Sequence, residues 1–127
     1  MLSNPRTTRF LSDHFEPEAA LSPEDSRKLR GHLEQIDYAA FAANREVVSG
    51  AMGRVDLGKF QKLAVATAHA RAKWVAASVA MTESGTALTH DQITQLSVLR
   101  KAFEELSAAY EAMRRMVERG YLGYVAR

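Results

Sequence analysis

Cysteine is absent from the 127-residue chain. Disulfides, thiolate nucleophiles and Cys-held zinc or iron–sulfur centres are therefore excluded within it, and a reducing compartment is a weak implication. Proline and glycine are scarce, at 3 and 7 residues, and most of them stand at the ends of periodic segments, where helices tolerate them. No apolar run approaches the roughly 20 residues of a membrane span. The opening MLSNPRTTRFLSDHF is basic and lacks the apolar centre of a secretory signal. These features lead us to expect a cytoplasmic protein without membrane contact. Acid is also missing locally: Glu83 is the only acidic residue between Leu57 and Ser84. What remains is ordinary for a soluble globular chain, 46% hydrophobic and 25% charged. The length suits one domain of about 100–150 residues. A net charge of +2 permits an anionic partner without demanding one.

Three long helices are legible from their punctuation. Ser22 is placed to cap the first, Pro23 fits the next position, and Glu24 and Asp25 set negative charge at the positive end of the dipole. Leu29, Leu33, Ile36, Ala40, Ala43 and Val47 then trace one face at steps of four and three. This helix should fade near Ser49-Gly50, with SGAMG able to carry another turn. The second starts at Asp56, with Val55 and Phe60 spaced for a hydrophobic staple. Its stripe is Phe60, Leu63, Thr67, Ala70, Trp74, Ala77 and Met81, and it ends at Ser84-Gly85. Thr89 caps the third, with Gln92 completing a capping box. Leu96, Leu99, Phe103, Leu106, Tyr110, Met113 and Val117 form its coiled-coil-like seam. Gly120 closes it, with Tyr121 folding back on Met116.

Similar lengths and short links favour antiparallel neighbours. The predicted fold is all-α: an antiparallel bundle of three long helices with a short N-terminal helix. Residues 1–21 are read as an arm holding that short helix, 22–120 as the helical bundle and 121–127 as a C-terminal tail.

The second helix is apolar on more than one side. Beyond its stripe it carries Ala64, Ala68, Val75 and Val79, and a helix flanked on one side needs an apolar stripe of only about 100°. The helix is then either the central element or one that faces a second copy. Lys59, Lys62, His69 and Lys73 share its polar face, and Arg71 lies off that face. Closely spaced cations of this kind can track phosphates, although a few lysines on a helix are usually its solvated side.

Chemistry is hard to find. A mid-helix histidine followed by a lysine and then a glycine marks the phosphotransfer domains of two-component signalling, which are helical bundles of similar length. AHARAK departs from that pattern, because Ala72 and Lys73 stand three and four residues after His69. His14, His32 and His90 stand apart from one another. Helical di-metal sites need inward Glu-x-x-His pairs, and none occurs in this sequence. SGAMGRVDLGK lacks the spacing of a phosphate loop.

The reading is a non-catalytic protein–protein interaction module, a homo-oligomer or a small subunit or adaptor of a larger assembly. It is not an enzyme, and no catalytic residue, cofactor, metal or small-molecule substrate is expected. The interface candidates are Trp74, Val75 and Val79 with the terminal aromatics Phe10, Phe15, Tyr121 and Tyr124, which are suited to docking or to capping their own bundle. The alternative is a small basic helical nucleic-acid-binding subunit using Lys59, Lys62, Arg71 and Lys73.

Overall fold

The structure, a computed structural model, describes residues 21–126. The predicted short N-terminal helix, with Phe10 and Phe15, lies outside them. The described chain is mostly helical: α1 is Pro23–Met52, α2 is Leu57–Thr82 and α3 is His90–Glu118. Two short strands complete it, β1 at Arg54–Asp56 and β2 at Gly123–Val125. The chain divides into two compact units, the first ending at Tyr38 and the second starting at Ala39.

In the first unit, the Asp25 amide donates to Ser22 Oγ at 3.0 Å, the cap that the sequence implies. Leu29, Leu33 and Ile36 are exposed there by 46%, 50% and 62%.

In the second unit, α2 and α3 form an antiparallel hairpin. Phe60 meets the Tyr110 ring edge-on at 5.7 Å, and Trp74 stacks on Phe103 at 5.8 Å and 22°. Contacts therefore pair early α2 with late α3, and the reverse. Every member of the predicted α2 stripe is half-buried, and the α3 seam is half-buried throughout except Met113, which is fully buried. Thr67 donates its hydroxyl to the Leu63 carbonyl at 2.8 Å, which lets a polar residue sit in the stripe. Asp56 caps α2 by accepting from the Lys59 amide. Thr89 and Gln92 form the capping box of α3.

The fully buried core lies at the base of the hairpin: Val55, Met113 and Leu122 are 1%, 6% and 2% exposed. Val48, Phe60, Leu63, Met116 and Val117 pack around them. α3 ends as predicted. Gly120 takes φ +82°, its amide donates to the Val117 carbonyl, and the Tyr121 amide donates to the Met116 carbonyl. The turn delivers β2 beside β1 in a parallel pair that sets Arg54 opposite Gly123 and Asp56 opposite Val125.

Two features differ from the sequence reading. The residues after Gly120, read as a tail, supply Leu122 to the core and a strand to the base, because the turn at Gly120 folds them back. In the second unit α1 packs through Phe41 and Val48, with Phe41 5.7 Å from the Tyr121 ring. The α1 stripe expected to pack is exposed at every position from Leu29 to Val47. Periodicity identified an apolar face, but the packed residues of α1 lie on a neighbouring one.

Candidate interaction surface

α2 positions the surface that the sequence singled out. Its inward stripe is used by α3, so the residues half a turn away face outward. Leu57, Val65, Ala68, Ala72, Val75 and Val79 all lie on this outer side and are all exposed. Val65, Val75 and Val79 expose 56%, 48% and 56% of their surface. From Val65 to Val79 the spacing alternates three and four, the period of a seam that receives another helix. The alanines between the valines let a second backbone approach closely. Val75 and Val79 therefore belong to a longer row that includes Val65 and Leu57. That row was legible in the three–four spacing once the stripe beside it had been assigned.

Trp74 lies at the edge of this surface. It is half-buried against Phe103 within the hairpin, and its remaining surface lines an open groove with Ile93, Leu96 and Ser97. The guanidinium of Arg71 stands 4.9 Å from the centroid of the Phe103 ring, a cation–π contact of about 0.5–1 kcal/mol at an exposed site. Tyr121 packs on Phe41. Tyr124 is partly exposed, with its ring 6.3 Å from Phe60. The two C-terminal tyrosines thus close the base of their own hairpin.

The charged side chains fall on two flanks. His69 and Lys73 line a groove with Ala66, Ala70, Leu99, Ala102 and Leu106 on one side of α2. Arg71 lines another with Ala64, Thr67, Ala68, Ser107, Tyr110 and Glu111 on the other. Lys59, Lys62 and Lys73 are exposed, and helical spacing places them on the His69 flank. Arg71 does not join them. Among the described residues, no three His, Asp or Glu side chains cluster as a metal site requires, and no helix is long and apolar enough to cross a membrane.

The outer face of α2 is thus an apolar row with His69 and Lys73 on one flank and Arg71, beside Glu111, on the other. The chain matches no protein-family model, no curated protein and no solved structure. Its reading rests on its own residues.

Proposed function

We propose that the protein is a non-catalytic helical interaction module that works as a small subunit or adaptor. A partner helix covers the outer face of α2 and completes an antiparallel bundle around the α2–α3 hairpin. The observation that carries this reading is the exposed three–four row from Val65 to Val79 on a helix whose opposite stripe is already occupied. Two α2 helices placed face to face would bring together Lys62, His69, Arg71 and Lys73 of both copies, and α2 itself carries no acidic residue. A helix bordered by acids fits better, because opposite charges across an interface favour association. Phe10 and Phe15 of the N-terminal arm are additional docking aromatics in this reading. A cytoplasmic setting agrees with the cysteine-free sequence.

The test compares the wild-type protein with the Val75→Glu/Val79→Glu variant as affinity baits in native extract. The expected result is a helical partner retained by the wild type and lost by the variant, with unchanged circular dichroism. Equal retention by both removes α2 from the interface. Unfolding of the variant would mean that the face is core.

A second reading rests on Lys59, Lys62 and Lys73, which make no ion pair among the described residues. A nucleic-acid site there would lose affinity steeply with salt, with log K falling by about 0.9 per phosphate contact per decade on duplex DNA. Absence of a mobility shift at about 50 mM salt, where such contacts are still strong, ends that reading.

A further inference from the structure

The exposed stripe of α1 is a second seam, separate from the face of α2. Leu29, Leu33 and Ile36 carry it in the first unit, and all three are exposed. Steps of four and three define a heptad. Leu29 and Ile36 take its d positions, and Leu33 takes the a position between them. A single exposed leucine needs no explanation, but a continuous apolar row of this length marks an interface.

The borders of the seam identify its occupant. Asp25 and His32 occupy g positions, and Arg30 and Asp37 occupy e positions; all four are exposed. In a parallel pair of helices in register, each g residue meets the e residue five positions further along the other helix. Asp25 then meets Arg30 of the second copy, and His32 meets its Asp37. Twofold symmetry makes each pair twice. The ion pair that α1 already makes, Lys28 to Glu24 at 3.7 Å, lies off these borders and leaves Asp25 and Arg30 available. We propose that a second copy of this chain docks on the seam, α1 against α1, parallel and in register. This goes beyond the role of α2 and does not depend on it.

Sedimentation of the full chain tests the proposal. The wild type is expected to be a dimer, and Leu33→Glu/Ile36→Glu to weaken association by at least about a hundredfold, because it places charge in an apolar seam. The dimer should survive Val75→Glu/Val79→Glu, which separates this seam from the α2 face. Because the chain has no cysteine, a single introduced thiol reports the register. Ile36→Cys should form a disulfide with its own copy, since matched d positions fall within the Cα separation of about 4.4–6.8 Å that a disulfide spans. Tyr38→Cys, on the far side of α1, should stay unlinked. A monomeric wild type, a dimer unaffected by Leu33→Glu/Ile36→Glu, or equal linking of both thiols overturns the proposal.

Discussion

The base of the hairpin and its outer flank are built from similar residues with opposite fates. At the base, a valine, a leucine and a methionine are nearly inaccessible, surrounded by three helices and a strand pair. On the flank, valines of α2 expose about half of their surface. Fully burying such a side chain is worth about 1.5–3 kcal/mol, so the base has realised a stabilisation that the flank still holds in reserve. What separates the regions is the number of elements that converge there. One partner helix half-buries a stripe, and only the return of the chain through Gly120 buries residues completely.

This contrast can be broken or sharpened by substitution. Leu122→Ala should have the largest effect, destabilising the protein by about 2–5 kcal/mol, measured by urea unfolding. A loss under about 1 kcal/mol would show that the base is not the main core. Trp74→Ala should cost less, about 2 kcal/mol, because the ring is only half-buried and full burial of Trp is worth about 3–5 kcal/mol. Trp74 is the only tryptophan, so the intrinsic fluorescence of the wild type should show an indole partly open to iodide. Gly120→Ala should cost about 1–2 kcal/mol from its left-handed backbone alone. The added Cβ would meet Phe41 at an ordinary 3.6 Å. Val79→Ala, read on unpartnered protein, should change stability by no more than about 0.5 kcal/mol. Alanine is the better helix former, and more than half of the Val79 surface is already exposed. A larger loss would move the outer face into the core.

The helices were legible because their signals are local. Asp56, Thr89 with Gln92, and the turn at Gly120 act within one helical turn of themselves. The stripes of α2 and α3 repeat with the period of the structure that they form. The strand pair carried no such signal, since three residues at each site show no period and their pairing depends on segments far apart in the chain. The stripe of α1 shows a different limit. Spacing reveals that Leu29, Leu33 and Ile36 share a face, but not what covers that face. Phe41 and Val48, which pack in the second unit, belong to no row long enough to stand out. The surface on α2 was half legible. Val75 and Val79 were found as excess apolar residues, whereas the full row needed the inward stripe to be assigned first.

The small parallel ladder also bears on how the chain folds. Its neighbouring contact, from the Ser49 hydroxyl to the Tyr121 carbonyl, joins positions 72 residues apart. Helix growth and hairpin docking need only nearby residues and proceed on microsecond scales. The ladder closes a long loop, and its entropic cost rises with the logarithm of the enclosed length. The clasp therefore forms late, after α2 and α3 have met and brought its ends together. Once Leu122 is seated, fraying of α1 at Met52 and fraying of α3 at Glu118 become a single event. Hydrogen exchange should register that event as one shared opening at the two ends of the clasp.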